Sequence, residues 1–273
     1  MKNTYALLME KVTPSVHSAL YWTLADMLIL AKRQLRRIPR NPQELVTVTL
    51  EPVLLVVFFR YIFGGAIPIS GTSYVNYLIG GMLVMSVIIS SANTGVGVAV
   101  DLQRGLVDRF RSLPMAKSAV LTGRTFADLI VSTFIILVVW AVGLLIGFRP
   151  EGTVLSWLAA LGLLLLGSFM FSWISAFLGL VLNSVEAVTP AVSVYAFLLI
   201  FVSGAFVPTN TLPDWLRPFA EHQPISLLIN AIRGLILNHP DVTATWQAIV
   251  WCVSLLAIFI PLAIWAYERR TAR

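Results

Sequence analysis

YVNYLIGGMLVMSVIISSANTGVGVAV, residues 74–100, contains no Lys, Arg, Asp or Glu, and it closes a charge-free stretch that begins at Tyr61. A helix rises about 1.5 Å per residue and needs about 20 largely apolar residues to cross the hydrocarbon of a bilayer. Four more stretches lack charge in the same way, 129–148, 152–185, 187–213 and 242–267, and each can hold at least one crossing. Of the 273 residues 58% are hydrophobic and only 12% charged, against about 25% charged in soluble domains. The chain cannot build a polar coat. Its solvent is lipid, and the fold class is an all-α integral membrane protein.

Outward from residues 74–100 the pattern resolves into six spans: 45–63, 76–99, 126–147, 154–182, 188–207 and 246–266. The first is the least apolar, because it carries Glu51 and Arg60. Turn-rich links such as GGAIPISGTS and FRPEGT separate neighbours, and none is long enough for a soluble domain, so residues 1–273 form one transmembrane domain. The opening MKNTYALLMEKVTPSVHS has no apolar run of the kind a cleaved signal peptide carries, so the first span is expected to direct insertion. The lone cysteine, Cys252, gives neither a disulfide framework nor a metal set.

Charge placement gives orientation. Fifteen of the nineteen Lys and Arg fall on one side, in the segment before the first span, the loop 100–125 and the C-terminal tail. Arg149, Arg217 and Arg233 fall on the other side, and Arg60 lies within span 1. The positive-inside rule then puts both termini in the cytoplasm of a plasma-membrane protein. This clustering in loops explains the net charge of +6 without any nucleic-acid partner.

Ahead of span 1, Leu20, Leu24, Met27, Leu28, Ala31, Leu35 and Ile38 recur at helical spacing, with Lys32, Arg33, Arg36 and Arg37 clustered at the C-terminal end. Pro39 and Pro42 stop the pattern. A basic amphipathic helix over 18–38 suits the headgroup layer and anionic lipid; the plainer reading is a cytoplasmic helix of a larger assembly. The loop DLQRGLVDRFRSLPMAKSA puts Leu102, Leu106, Phe110 and Leu113 on one face, with Asp101, Arg104, Asp108, Arg109 and Arg111 facing elsewhere. Such a helix, over 101–113, suits a groove on a soluble partner; the alternative is a solvated connector.

Between the last two spans, residues 208–240 contain Pro208, Pro213, Pro218, Pro224 and Pro240, with Trp215 and Phe219 among them. That spacing allows only short helices, which serve either as a structural cap or as an outer gate. Within the spans, Glu51 has two readings, lining a cavity or pairing with a neighbouring helix. Arg60, nine residues on, can snorkel to the outer interface. Arg124 and Asp128 stand four apart and are expected to pair locally. Ser168, Ser172 and Ser175 recur at helical spacing and read as a packing face.

Enzyme and carrier readings find little to rest on. The three histidines, His17, His222 and His239, lie outside the spans, and Glu51 is the one deep carboxylate. A proton-driven carrier would place acids or histidines in several spans. Lys117-Ser118 follows Ala116 without a glycine-rich run, so the chain has no phosphate loop.

These same residues carry a resemblance. The IPRNP lead-in, EPVLLVVFFRYIFGG, YLIGGML, DRFRSLPMAKSAVLTGRTFADL, SVEAVTP and SGAFVPTNTLPDWLRPFAEHQPISLLINAIRGL resemble the type 2 ABC exporter permeases, in particular their daunorubicin-resistance branch. The last stretch is the most specific, with Pro208, Pro213, Trp215, Pro224 and Arg233 falling as that family has them. The resemblance implies two permease subunits, this chain with a second copy or a paralogue, and two separate ATPase subunits that hold ATP and Mg. It implies that no cofactor is bound by this chain, that 18–38 is an interfacial connecting helix and 101–113 the coupling helix, and that 208–240 forms short re-entrant helices. Where many relatives begin the coupling segment with Glu, this chain has Asp101, Gln103 and Arg104. The expected function is ATP-driven export of a hydrophobic or amphiphilic antibiotic, drug or lipid. The alternative within the class is a lipo-oligosaccharide or polysaccharide permease; outside it stand a secondary carrier and an intramembrane enzyme.

Overall fold

Ser73 starts the helix on which the rest is built. Its backbone is extended and its side chain accepts from the Asn76 N–H at 3.3 Å, satisfying one of the donors that a helix start leaves free. In the same way Thr153 accepts from the Ser156 N–H at 3.2 Å and Ser184 from the Ala187 N–H at 3.2 Å, so each helix begins where a turn-rich link ends. The computed structural model describes residues 42–67, 69, 72–104, 117–182 and 184–271. Within them the order is α1 (Pro42–Phe63), α2 (Tyr74–Gln103), α3 (Lys117–Leu145), α4 (Val154–Val181) and α5 (Val185–Val202). A short 3-10 turn (Thr209–Thr211), α6 (Arg217–His222), α7 (Pro224–Ile236) and α8 (Val242–Thr271) follow. The expected helix 18–38, and Leu106, Asp108, Arg109, Phe110 and Arg111 of the expected coupling segment, lie outside the described residues.

Among the described residues, five helices are long and apolar enough to cross a membrane: Tyr74–Gln103, Leu121–Leu145, Val154–Val181, Val185–Val202 and Val242–Arg270. Their surface is apolar outward. Phe126, Ile130 and Phe134 make an exposed stripe at four-residue spacing on α3, and Val46, Leu50, Leu54 and Phe58 make another on α1. A water-soluble protein rarely exposes such patches; lipid accepts them. On α8 the exposed Trp246 and Trp265 stand nineteen residues apart, about 28 Å along a helix, close to the hydrocarbon thickness of about 30 Å that interfacial tryptophans bracket. Arg269 lies over the Trp265 ring at 5.3 Å, and Arg270 donates to the Val181 carbonyl at 3.0 Å, so cations gather at that end of the bundle.

At the centre is α2, with 20 of its 30 residues buried. Lipid tails give apolar helices no reason to associate, so close packing and hydrogen bonds must hold them. The α2–α4 seam supplies both. On α4, Ser168, Ser172, Ser175 and Gly179 recur at spacings of four, three and four, and all are buried. A Cβ on Gly95 would collide with the Ser175 carbonyl, and one on Gly179 with the Gly95 carbonyl, so the two backbones touch there. Ser91 donates to the Ser168 carbonyl at 3.1 Å; the Ser168 hydroxyl donates to Ser132 at 2.8 Å, and Ser132 meets Ser90 at 3.2 Å. This buried serine chain ties α2, α3 and α4 together.

Gly95→Ala is therefore expected to lower the unfolding temperature of the purified protein in detergent. Its methyl group meets backbone, which no rotamer change can relieve, and overpacking costs about 1–3 kcal/mol. Gly162→Ala, on the exposed face of α4 where a Cβ meets nothing, should be neutral or stabilising, since Ala is favoured over Gly in a helix. Equal behaviour of the two variants in a thermal-shift measurement would contradict the seam.

Candidate functional site, a lengthwise cleft between two polar clamps

One end of the bundle is closed by α7. Pro224 stands in its first turn, where a missing N–H costs nothing, and Ile225, Leu228, Ile229, Ile232 and Ile236 are buried beneath it. That burial carries Arg233 inside, to 9% exposure. Its Nε donates to the Tyr77 carbonyl at 2.8 Å, and one terminal nitrogen donates to the carbonyls of Gly204 at 2.7 Å and Ala205 at 3.0 Å. The guanidinium lies 3.5 Å from the centroid of the Tyr77 ring, whose hydroxyl also donates to Gly204 O at 2.7 Å. Burial pushes the Arg233 guanidinium down to about 10, opposed by the neighbouring Tyr77, so it stays a cation at neutral pH. It clamps α7, the start of α2 and the end of α5 together without any carboxylate.

The other residues expected in an outer cap are spread along the surface. Pro208 precedes the 3-10 turn, Pro213 accepts from Leu216 N at 2.9 Å in the next turn, and Trp215 is 79% exposed. Arg217 holds this stretch by an ion pair to Asp214 at 3.1 Å and by donating to the Asn210 and Leu212 carbonyls at 3.2 Å. Arg233 belongs to the interior and Trp215 to the surface; they do not form one cluster.

The opposite end carries a second clamp. Asp101 and Leu102 sit in the last turn of α2, and Arg104 follows as its exposed cap. Arg124, expected from spacing to pair with Asp128, reaches across from α3 to Asp101 at 2.7 Å, over Gly97, where any side chain would collide with it. Asp128 accepts from Thr94 at 2.6 Å. The two arms that lead into and out of residues 105–116 are thus bound to each other by an ion pair and a charged hydrogen bond. Asp101 and Arg104, both candidates for contact with a partner ATPase, differ in placement: Asp101 is engaged within the chain and Arg104 is free of burial.

Between the clamps a cleft runs along α1, α2 and α5. Its first part, about 260 Å³, is lined by Glu51, Met85, Ile89 and Asn93 with Thr189, Ser193 and Phe197 of α5. Its second part, about 470 Å³, is lined by Val46, Leu50, Glu51, Leu54 and Phe59 with Phe197, Phe201 and Phe206. From Val46 to Phe59 the lining extends thirteen residues of α1, about 20 Å. Glu51 stands in both parts. It is exposed to the cleft, and among the described residues no hydrogen bond or ion pair engages its carboxylate. Arg60 lies over Gly64 on its own helix, outside the lining of these two volumes.

The cleft's aromatic wall joins segments far apart in the chain. Phe59 stacks on Phe206 with centroids 4.4 Å apart, Phe206 meets Phe201 at 5.3 Å, and Phe201 stacks on Phe197 at 4.7 Å. These four rings form a ladder leading toward Glu51. Spacing could have flagged Phe197 and Phe201, four apart on one helix; Phe59 and Phe206 come from segments 147 residues apart. Among the described residues, no three His, Cys, Asp or Glu side chains gather as a metal site.

Replacing Arg233 by Met removes its bonds to the Tyr77, Gly204 and Ala205 carbonyls, and hydrogen bonds from a charged group contribute about 1.5–3 kcal/mol each. Arg233→Met should therefore lower the detergent unfolding temperature clearly. Tyr77→Phe keeps the ring under the cation and loses one neutral bond, about 1 kcal/mol, so its effect should be the smaller. The reverse order in a thermal-shift experiment would show that Arg233 is not the clamp.

The family model described as "ABC-2 type transporter" matches residues 25–237. The daunorubicin resistance ABC transporter permease protein DrrB1 of Streptomyces coeruleorubidus is 32% identical over 234 residues, covering 85% of this chain and 82% of that protein. The probable doxorubicin resistance permease protein DrrC of Mycobacterium tuberculosis is 27% identical, covering 94% of this chain and 93% of its own length. The putative transport permease ycf38 of Porphyra purpurea is 26% identical over 83% of this chain and 78% of its own. With a family match across both clamps and the cleft between them, this chain belongs to the ABC-2 type transporter family.

Proposed function

We propose that this chain is the permease subunit of an ATP-driven exporter that moves a hydrophobic or amphiphilic compound outward across the plasma membrane. The observation that carries the reading is the lengthwise cleft: aromatic and aliphatic walls, a single ionisable side chain, and an opening along α1 and α5. Its relatives' names, daunorubicin and doxorubicin resistance permeases, favour a drug-like amphiphile over a polysaccharide. In this reading α1 is the sixth span, since it is helical from Pro42 to Phe63 and presents an apolar stripe outward. The short helices between Thr209 and Ile236 form a re-entrant cap held by Arg233. The excess of Lys and Arg on one side supports cytoplasmic termini.

The working complex contains two permeases, this chain with a second copy or a paralogue, and two ATPase subunits that bind ATP and Mg. Residues 101–113 dock on the ATPase. The support is their position. They begin in the last turn of α2 and precede α3, and the Asp101–Arg124 pair joins those helices, so a push on the segment would move both. Closure of the ATPase dimer would then reach α2, the common wall of the seam and the cleft.

The test is co-purification and transport with the partner ATPase subunit. Aromatic and Arg anchors dominate such interfaces, at about 2 kcal/mol or more on truncation, or about thirtyfold in affinity. Phe110→Ala should weaken ATPase recovery, or leave it bound but unable to drive uptake of a hydrophobic dye into inverted vesicles. Arg109→Glu should do the same with greater salt sensitivity. Full recovery and full transport in both variants would remove the docking role.

A further inference from the structure

Ile258, Leu262, Trp265 and Arg269 stand at spacings of four, three and four on α8, and all are exposed. One lipid-facing stripe of that helix therefore ends in a cation. The opposite face of the same segment, Ala263, Ala266 and Tyr267, is buried with Trp173 and Leu180 of α4, which fixes the direction of the stripe. The two arginines at its end are used differently. Arg270 donates to the Val181 carbonyl at 3.0 Å, one of the acceptors that the C-terminus of α4 leaves open. Arg269 lies over the Trp265 ring at 5.3 Å, and among the described residues no hydrogen bond or ion pair engages its guanidinium. Glu268, beside it in the chain, has a partner of its own.

Depth decides what can reach Arg269. Trp246 and Trp265 mark the two edges of the hydrocarbon, and Arg269 stands one helical turn beyond Trp265, about 6 Å, at the depth of lipid phosphate. A guanidinium presents a planar fork of donors that fits phosphate oxygens. A zwitterionic headgroup carries its own ammonium beside the phosphate, whereas an anionic headgroup has a net charge for Arg269 to answer. The excess of Lys and Arg at this end assigns it to the cytoplasmic leaflet, where anionic lipid gathers. We propose that the outward face of α8 holds an anionic phospholipid, with its phosphate on Arg269 and an acyl chain along Trp265, Leu262 and Ile258. This site is separate from the cleft and does not depend on what the cleft transports.

The test places an acrylodan fluorophore on Leu262→Cys, which lies three residues, about 4.5 Å, below Trp265. The native thiol, Cys252, is buried, so the introduced one takes the label. Quenching by phosphatidylglycerol and by phosphatidylcholine, each carrying a nitroxide at mid-chain, is titrated on the full chain in otherwise identical nanodiscs. Phosphatidylglycerol should be preferred by about fivefold in relative affinity, the effect of one arginine at an anionic surface. Arg269→Gln in the same background should remove the preference, and Arg269→Lys should retain most of it. The same fluorophore at Phe134→Cys, on the exposed stripe of α3, should show none. Equal quenching by the two lipids at Leu262 overturns the proposal, whether or not the Arg269 variants fold. So does a preference that survives Arg269→Gln or appears equally at Phe134, since the field of the whole bundle is then responsible. Loss of the preference in excess inorganic phosphate reassigns Arg269 to a free anion, and loss on adding the partner ATPase reassigns it to that protein; either result removes the lipid.

Discussion

What the fold depends on is that α2 lets other elements reach its backbone. Four of its glycines each seat a different neighbour. A Cβ at Gly80 would meet the Arg233 side chain, one at Gly81 the Ala205 backbone, one at Gly95 the Ser175 carbonyl, and one at Gly97 the Arg124 guanidinium. A helix with Gly at these positions is weakened in isolation, by about 1 kcal/mol each relative to Ala. In a bilayer that cost is offset by approach, because dispersion and hydrogen bonds are what hold membrane helices together. The central position of α2 and its glycines are thus one fact. Only a helix stripped of side chains at these points can be touched by α3, α4, α7 and the chain after α5 together.

The approach at each end has a polar consequence. Seating Arg233 against Gly80 brings its guanidinium within reach of the Gly204 and Ala205 carbonyls, just past the end of α5. Seating Arg124 against Gly97 brings it to Asp101 at 2.7 Å. These clamps differ in physical kind. The first is a buried cation among dipoles, held by three carbonyls. The second is an ion pair near the end of the bundle, with side chains 13% and 21% exposed, where solvent screening makes it the weaker tie. The end nearer residues 105–116 is thus the more loosely fastened one.

Much of this was legible in the sequence. Charge-free stretches mark the long helices because no residue can hide its charge from lipid for twenty positions. Ser168, Ser172 and Ser175 showed their seam through spacing alone, since a buried face on a helix has to recur at three and four. Other features could not be read because they join distant segments. Arg233 is satisfied by carbonyls, which every residue carries and no sequence displays. Arg124 has Asp128 four residues away, yet it reaches to Asp101, because Gly97 opens a path across the helix pair that local spacing cannot express. The ladder of Phe59, Phe206, Phe201 and Phe197 exists only once α1 and α5 lie side by side.

The same accounting separates structural from functional charge. A buried ion is tolerated when its surroundings replace the water it has lost. Arg233 has three carbonyls and the Tyr77 ring in place of water, and it holds α7 to α2 and the chain after α5. Glu51 does not meet that condition within the described protein: its carboxylate faces a cleft rather than a partner, on the helix whose neighbouring residues, Leu50 and Leu54, are turned outward.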